Sequence, residues 1–293
     1  MATPLPTRVL GRTNVRLPIL GFGTAPAGKR LNLKDAVQLY ESALNQGITY
    51  FDTAPEFAGY GKAQVQLGHL LKERRNEVFL VTKCYEPTGD AALKLLERSL
   101  RELQTDFADL VFVHSLGADK MDPQIVFSPR GTYPALIKAK QLGLARFVGL
   151  SGHNRPQRFA EAIQKYEVDV LLNVSNFVDR YTYNFEQRVW SLVTKQQIGL
   201  IAMKVYGGES RSLFSGISNS VIPQSYLDLA FRYALSQPQV ACAVIGMATL
   251  QELKENLARV QGFTPLQDQE RAQLASIGKR LAKGWGAHFG AVS

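Results

Sequence analysis

Cysteine is scarce in this sequence of 293 residues, which contains only Cys84 and Cys242. Their separation matches no metal-binding spacing, and neither has a second cysteine nearby to pair with. This scarcity argues against a disulfide-stapled secreted protein and indicates a reduced, cytoplasmic setting. Histidine is almost as rare, and the four histidines show no ligand spacing, so no metal site is predicted: His69, His114, His153 and His288.

Long hydrophobic runs are also missing. No stretch reaches the roughly 18 apolar residues that a membrane-spanning helix needs. The first residues, "MATPLPTRVLGRTNVRLP", lack the apolar segment of a secretory signal. We therefore expect neither membrane insertion nor export.

Negative charge is in deficit, because 34 Lys and Arg face 25 Asp and Glu, for a net charge of +9. The basic residues are scattered through helix-like segments such as "LLKERR" and never form a continuous run. Solvated helix faces explain this pattern, and a cleft that favours an anionic ligand is the alternative. Nucleic-acid binding is not predicted.

Short apolar runs rich in β-branched residues recur along the chain. They lack strict alternation, which is typical of strands covered on both faces. Eight such runs are predicted strands: "PILGFGTA", "ITYFDTA", "VFLVTKC", "DLVFVHS", "RFVGLSG", "VDVLLNVSN", "IGLIAMKVY" and "ACAVIGM".

Helical patterns separate the predicted strands. In "DAVQLYESAL", for example, Ala36, Tyr40 and Leu44 belong to one apolar stripe. Strict strand–helix alternation predicts an α/β fold, an eight-stranded parallel (β/α)8 TIM barrel, with an open doubly wound sheet as the alternative. The leading "RVLGRTNVRLP" predicts a short N-terminal β-hairpin at the bottom of the barrel. No linker divides the chain, so a single barrel domain over residues 1–293 is expected.

Chemistry in such barrels occurs at the carboxyl ends of the strands. Three adjacent predicted strands end in Asp52, Lys83 and His114 after otherwise apolar runs. Charged groups buried there must pair or shift their pKa values. The alternative without chemistry is a salt bridge at the barrel mouth and a core histidine.

Taken together, these segments make the chain resemble the aldo-keto reductase superfamily over essentially its whole length. The matching pieces are "GFGTA", "GITYFDTAP", "YGKAQ", "VTK", "SLRELQTDFADLVFVHS", "AKQLGLARFVGLSGH", "IGLIAMK" and "AVIGMATLQELKEN". The resemblance implies the same barrel and a nicotinamide dinucleotide, NADPH with NADH possible, bound without a Rossmann domain. Consistently, "GFGTAP" lacks the third glycine of G-x-G-x-x-G.

The resemblance also implies a catalytic tetrad of Asp, Tyr, Lys and His. Asp52, Lys83 and His114 fall on its positions. In this chemistry a hydride reaches the carbonyl carbon while a tyrosine gives a proton to the oxygen. A neighbouring ammonium favours the phenolate, the carboxylate keeps the ammonium charged, and the imidazole orients the carbonyl.

The tyrosine of the family pattern D-T-A-x-x-Y-G is replaced here by Phe57, and Tyr60 follows three residues later. In one interpretation the loop is remodelled and Tyr60 supplies the hydroxyl, which roughly 10 Å of extended chain allows. Gly59 and Gly61 would permit the necessary turn. In the other interpretation Phe57 takes the tyrosine's place and activity is weak.

Further positions carry over to cofactor binding. The resemblance implies Ser151 and Asn173 at the nicotinamide carboxamide, with Gly152 in place of the family's Asn. The remaining cofactor-binding candidates are Gly23, Thr24, Asp52, Lys204, Tyr206, Gly208, Gly246, Thr249, Glu252, Glu255 and Asn256. Ala248 stands where NADP-preferring members often carry an Arg, so NADH competes with the favoured NADPH.

The predicted function is therefore reduction of a small aldehyde or ketone to an alcohol with NADPH. Apolar walls for the substrate are expected from Phe127, Tyr133, Trp285 and Phe289. One alternative is a nucleotide-binding barrel with a regulatory or partner-binding role and little turnover, motivated by Phe57. Another is an aldolase-like barrel with a Schiff base on Lys83, although a lysine held by Asp52 should stay protonated. Neither the substrate nor the oligomeric state can be read from the sequence.

Overall fold

Eight parallel strands close into a barrel, and a two-stranded antiparallel hairpin precedes it. The computed structural model describes residues 4–208 and 221–293. The hairpin strands are β1 (Thr7–Val9) and β2 (Arg16–Pro18). The barrel strands are β3 (Leu20–Gly23), β4 (Tyr50–Asp52), β5 (Phe79–Cys84), β6 (Ala108–Val113), β7 (Ala145–Gly152), β8 (Val170–Val174), β9 (Gly199–Met203) and β10 (Val240–Gly246). The barrel follows chain order and closes between β10 and β3, which confirms the predicted fold class.

Helices follow the strands and surround the barrel. They are α1 (Ala25–Arg30), α2 (Leu33–Asn45), α3 (Ala63–Arg74), α4 (Gly89–Glu102), α5 (Pro123–Val126), α6 (Thr132–Gln141), α7 (Pro156–Lys165), α8 (Phe185–Arg188), α9 (Trp190–Lys195), α10 (Leu227–Leu235), α11 (Leu250–Gln261) and α12 (Asp268–Trp285). The predicted alternation of strands and helices is present. Between β8 and β9 the helical region is divided into α8 and α9 at Val189.

The strands are apolar throughout because both of their faces are covered. All six residues of β5 and all six of β6 are buried. Alternate side chains fill the barrel interior, where the rings of Tyr50 and Phe79 stack at 5.7 Å. The other side chains pack against the helices, in the larger apolar cluster that includes Tyr40 and Leu44 of α2. Burial on both faces thus explains the missing alternation in the sequence.

The N-terminal hairpin closes the bottom of the barrel. Leu10 and Leu17 are buried and belong to the interior cluster. The backbone N–H of Arg12 donates to the carbonyl of Gln197, just before the amino end of β9. With the bottom filled by these side chains, the opposite end is left for binding.

Polar side chains therefore collect at the carboxyl ends of the strands. The register pairs Gly23 with Asp52 and Gly152 with Asn173, which brings the ends of neighbouring strands to one rim. Among the described residues, no helix is long and apolar enough to cross a membrane. The same residues contain no cluster of His, Cys, Asp and Glu that would hold a metal ion.

Candidate active site

Asp52 and Lys83 form a buried ion pair at the carboxyl ends of β4 and β5. Lys83 Nζ lies 2.5 Å from Asp52 Oδ1 and also donates to the carbonyl of Thr53 at 2.9 Å. Burial lowers the pKa of Lys83, and the neighbouring carboxylate opposes that shift. The pair holds a cation in a site almost closed to water, since the Lys83 side chain is 2% exposed.

Tyr60 completes this cluster. Its hydroxyl donates to Asp52 Oδ1 at 2.9 Å and accepts from Lys83 Nζ at 2.9 Å. Lys83 Nζ also lies 4.6 Å from the centre of the Tyr60 ring. The three ammonium protons of Lys83 are thus directed at Asp52, Thr53 and Tyr60, which fixes the hydroxyl beside both charges.

The loop between β4 and α3 explains how Tyr60 reaches this point. A short 3-10 helix over Glu56–Ala58 leaves the Phe57 side chain in solvent, where the residue is 52% exposed. Gly59 and Gly61 then adopt positive φ angles of 84° and 55°. A Cβ on Gly61 would lie 2.5 Å from the carbonyl oxygen of Gly28, so this glycine is also required by the packing of the loop on α1. The aromatic ring at the site is therefore that of Tyr60.

His114 follows β6, the next strand around the rim. Its backbone N–H donates to the carbonyl of Cys84, and its ring contacts Tyr85 edge-on with centroids 5.6 Å apart. Burial, Lys83 and Lys204 together lower the pKa of His114 to about 3. The imidazole is neutral near pH 7, and its buried Nδ1 has no hydrogen-bond partner among the described residues.

Ser151 and Asn173 lie at the ends of β7 and β8. Ser151 Oγ donates to the carbonyl of Val113 at 3.3 Å, and Asn173 Nδ2 donates to the carbonyl of Leu172 at 3.2 Å. Asn173 Oδ1 is buried and has no partner in the described part of the chain. An amide oxygen left in this state suits the amide of a nicotinamide, so these residues fit the ring end of the dinucleotide.

Gly152, at the position where the resemblance implies an Asn, packs closely against α7. A Cβ at this position would lie 2.6 Å from the Phe159 ring of α7. Any side chain here would require that ring to move, because the ring is fully buried. The departure from the family pattern thus accompanies a close packing contact between β7 and α7.

Gly23 and Thr24, at the end of β3, have structural contacts. Thr24 is buried, and both its Oγ1 and its N–H donate to the carbonyl of Asp52 at 2.9 Å. Gly23 packs against Gly246 of β10, whose backbone would lie 3.2 Å from an added Cβ. These contacts fix the Asp52 backbone.

Lys204, Tyr206 and Gly208 follow β9 and were predicted together as cofactor-binding residues, but the side chains of Lys204 and Tyr206 do not lie together. Tyr206 Oη donates to Asn256 Oδ1 of α11 at 2.7 Å, so its ring faces that helix. Lys204 Nζ lies 5.7 Å from the centre of the Phe289 ring, and its charge contributes to lowering the pKa values of Lys83 and His114. Gly208 is half-buried and is the last residue described before 209–220.

The α11 residues form a capped helix start. Thr249 Oγ1 accepts from the backbone of Glu252, and Glu252 Oε2 accepts from the N–H groups of Ala248 and Thr249 at 2.6 and 3.2 Å. Glu255 accepts from Gln251 on the surface of the helix. Gly246 is exposed at the preceding strand end. The N-terminus of α11 therefore already carries a carboxylate.

Part of the site was not found in the sequence. The C-terminal segment after α12 is held by a buried pair in which His288 Nε2 lies 2.8 Å from Asp179 Oδ1. The Phe289 ring then lies 5.1 Å from that of His153, which follows β7. The sequence places His153 directly after a predicted strand but assigns it no role. The His288–Asp179 pair joins residues 109 positions apart and leaves no local signal.

The predicted substrate wall is wrong for two of its members. The Phe127 ring stacks on Tyr166 with centroids 4.4 Å apart, and Tyr133 packs beside both rings. Tyr133 Oη donates to the carbonyl of Glu167, before the amino end of β8. These rings belong to the outer layer of helices and face away from the barrel mouth.

Several known proteins resemble this chain in sequence and fold. The model of the Aldo/keto reductase family matches residues 19–222. L-galactose dehydrogenase of Arabidopsis thaliana is 27% identical over 92% of both proteins. The uncharacterized oxidoreductase YqkF of Bacillus subtilis (strain 168) is 25% identical, over 85% of this chain and 89% of that protein. The holo form of an aldo-keto reductase from Bacillus halodurans shares the fold, with a TM-score of 0.77 over 94% of this chain and 97% of that one, at 23% identity.

Proposed function

The chain belongs to the aldo/keto reductase family of oxidoreductases, and from this membership we propose that it reduces an aldehyde or ketone to an alcohol by hydride transfer from NADPH. The observation that carries the proposal is the Tyr60 hydroxyl, hydrogen-bonded to both Asp52 and Lys83. This arrangement supplies the proton donor that Phe57 does not provide.

Tyr60, Lys83 and Asp52 have different roles in the proton transfer. Tyr60 gives its proton to the carbonyl oxygen as negative charge develops there. The Lys83 ammonium, 2.9 Å away, stabilises the phenolate that remains. Asp52 keeps that ammonium charged despite its burial, because losing a proton would leave the buried carboxylate unpaired.

His114 contributes as a neutral hydrogen-bonding group. A pKa of about 3 keeps the imidazole uncharged near pH 7, so it does not add a cation beside Lys83. Its Nδ1 is buried without a partner among the described residues. A neutral imidazole at this strand end can hydrogen-bond the substrate oxygen. His114 thus orients the carbonyl, whereas Tyr60 protonates it.

Ser151 and Asn173 would hold the nicotinamide end of the dinucleotide, and the start of α11 its adenosine end. When bound, the dinucleotide supplies the hydride that reaches the carbonyl carbon. Glu252 bears on the choice of dinucleotide, because its carboxylate occupies the N–H groups at the start of α11. A 2′-phosphate would have to displace or tolerate that charge, so NADH remains the competing cofactor.

Two earlier alternatives lose their support. The regulatory barrel was motivated by Phe57 at the tyrosine position, but the Phe57 side chain is exposed and Tyr60 lies in the cluster. The Schiff-base barrel needs a nucleophilic Lys83. That amine is engaged by three hydrogen-bond acceptors, and the Asp52 carboxylate opposes the loss of its proton.

The test is oxidation of NADPH, and separately of NADH, with 4-nitrobenzaldehyde as substrate. Tyr60→Phe should lower kcat by about 10²–10⁴, the range expected for loss of a general acid. Phe57→Leu is the matched control and should keep the wild-type rate, since that side chain faces solvent. Cofactor dissociation constants, from quenching of protein fluorescence, should agree between the variants. Equal rates for Tyr60→Phe and wild type would remove Tyr60 from the mechanism.

A further inference from the structure

A second group of side chains faces the barrel mouth beside the proposed tetrad. Lys204 Nζ lies 5.7 Å from the centre of the Phe289 ring, and the same ring lies 5.1 Å from that of His153. The three residues come from the ends of β9 and β7 and from the C-terminal segment. They are far apart in sequence, so only the folded barrel brings a cation, an imidazole and an aromatic ring together.

The backbone of Lys204 is held in an unusual conformation. Its φ is +55°, a value that a lysine rarely adopts. Its carbonyl accepts from Asn176 Nδ2 at 2.9 Å and from the N–H of Gly207 at 2.8 Å. Such strain persists only where surrounding contacts impose it, and it concentrates at functional sites.

Asn176, which binds the Lys204 carbonyl, also helps to fix the C-terminal segment that carries Phe289. Asn176 Nδ2 also donates to Asp179 Oδ2 at 2.7 Å, and Asp179 pairs with His288. The N–H of Phe289 donates to Tyr183 Oη at 2.6 Å. Asn176 therefore ties the Lys204 turn and the C-terminal segment to one frame, so the Phe289 ring has a defined position.

Electrostatics distinguish this group from an ordinary surface lysine. Burial lowers the pKa of His153 well below its usual value, and Lys204 is the largest charged contributor to that shift. The lowered pKa favours the neutral imidazole, which can donate a hydrogen bond, and Lys204 lies against the same Phe289 ring. Lys204 also contributes to the shifts of Lys83 and His114, which relates it to the reacting end of the site.

We propose that Lys204 and His153 bind an anionic group of the substrate, and that the preferred substrates are carbonyl compounds that carry a carboxylate, with Phe289 as their apolar wall. This inference rests on the proposed carbonyl reduction. Ammonium and imidazole groups beside an aromatic ring suit a flat carboxylate such as that of an aromatic oxo acid. The cofactor pyrophosphate is the other source of negative charge, and the experiment separates the two.

The test compares 4-carboxybenzaldehyde with methyl 4-formylbenzoate, which differ mainly in charge. Wild type should prefer the carboxylate, and Lys204→Met should lower its preference, measured as the ratio of the two kcat/KM values, by about 10- to 100-fold, the range expected for a charged hydrogen bond. Lys204→Arg should restore part of it. Lys195→Met, which removes an exposed lysine at the end of α9, is the matched control and should keep the wild-type ratio.

A binding measurement makes the outcome independent of turnover. Calorimetric titration of 4-(hydroxymethyl)benzoate into the NADP⁺-loaded protein should show a similar 10- to 100-fold weakening in Lys204→Met. An unchanged ratio and unchanged binding would overturn the proposal. So would a loss of NADPH affinity that accounts for the whole effect, because Lys204 would then serve the cofactor phosphates. If wild type reduces neither aldehyde, the proposed function fails, whereas the titration still decides the anion site.

Discussion

Two buried carboxylates at opposite ends of the barrel show how the same kind of ion pair serves two purposes. Asp109, near the amino end of β6, binds Arg75 Nη2 at 2.9 Å and Arg146 Nη1 at 2.6 Å. Asp52, at the carboxyl end of β4, binds Lys83 at 2.5 Å. Both carboxylates have side chains that are 4% exposed. The two carboxylates differ in how many of their oxygens lack a hydrogen-bond partner among the described residues.

Every oxygen of the Asp109 carboxylate is used. Oδ2 accepts from Arg75 and from the N–H of Leu80, and Oδ1 accepts from Arg146. Such a saturated network ties β5, β6 and β7 together at the bottom and offers nothing to a ligand. Its role is structural.

At the mouth of the barrel, several buried polar atoms lack hydrogen-bond partners in the described part of the chain. Asp52 Oδ2, His114 Nδ1, Asn173 Oδ1 and Ser175 Oγ are all buried without a partner among the residues the structure describes. A buried polar atom without a partner costs free energy. Other described residues also leave such atoms, Ser99 Oγ and Trp190 Nε1 among them, so the four at the mouth are distinguished by their place at the strand ends. The comparison therefore distinguishes a structural ion pair from a chemical one by hydrogen-bond completeness, since burial is the same in both.

The largest expected effect follows removal of the Asp52 charge. In Asp52→Asn, burial of Lys83 is no longer opposed by a carboxylate, so its pKa should fall further and the ammonium should lose its proton. Tyr60 then loses the charge that stabilises its phenolate. We expect kcat with 4-nitrobenzaldehyde to fall by about 10²–10⁴ while folding is largely retained. A wild-type rate would show that the ion pair has no chemical role.

At the bottom, loss of the matching charge should affect stability instead. Asp109→Asn leaves Arg75 partly buried without its carboxylate, which typically costs about 3–5 kcal/mol. Urea unfolding should show this loss, and the activity of the molecules that remain folded should be unchanged. Asp228→Asn on α10, where the side chain is 60% exposed, is the control and should change stability by less than about 0.5 kcal/mol. An Asp109→Asn protein as stable as the control would contradict the structural role.

The smallest effect concerns pH and the neutral imidazole of His114. Its pKa falls from 6.5 to about 3 on folding, so an unfolded chain takes up a proton that the folded site excludes. This part of the stability is complete above the unfolded pKa and is lost progressively as the pH falls from about 6.5 to about 3. His114→Gln should reduce the stability loss between about pH 7 and about pH 5 by about 2 kcal/mol, measured by urea unfolding. His153, whose pKa is also lowered, remains in both proteins as an internal reference. Identical losses in variant and wild type would contradict a neutral, excluded His114.

Strong periodic signals explain why so much of the fold could be predicted. The strands covered on both faces have uninterrupted apolar runs, and each predicted run contains an observed barrel strand. The helix α12 was missed because only Leu274, Gly278 and Trp285 of its 18 residues are buried. A helix that buries so few residues shows little hydrophobic periodicity in its sequence.

Some residues of the candidate site could be predicted from the sequence, and others could not. Asp52, Lys83 and His114 directly end apolar strands, so the topology alone brings them to one rim. Lys204 and Tyr206 follow a strand just as closely, yet they diverge because Lys204 itself adopts a positive φ, which turns the chain before Tyr206. A position directly after a strand therefore predicts that a residue lies at the rim of the barrel. It does not predict the direction of the side chain.

By itself, the sequence determined the barrel, its plugged bottom and the three polar strand ends, because periodicity and parallel strands act locally and repeat. Only the tertiary structure placed the Tyr60 hydroxyl beside Asp52 and Lys83 and the Phe57 side chain in solvent. That placement depends on two glycine turns and on the close approach of Gly61 to the backbone of Gly28, a contact across 33 positions of the chain. The structure likewise paired His288 with Asp179, since the energy of a buried hydrogen bond depends on distance in space and leaves no trace in sequence spacing.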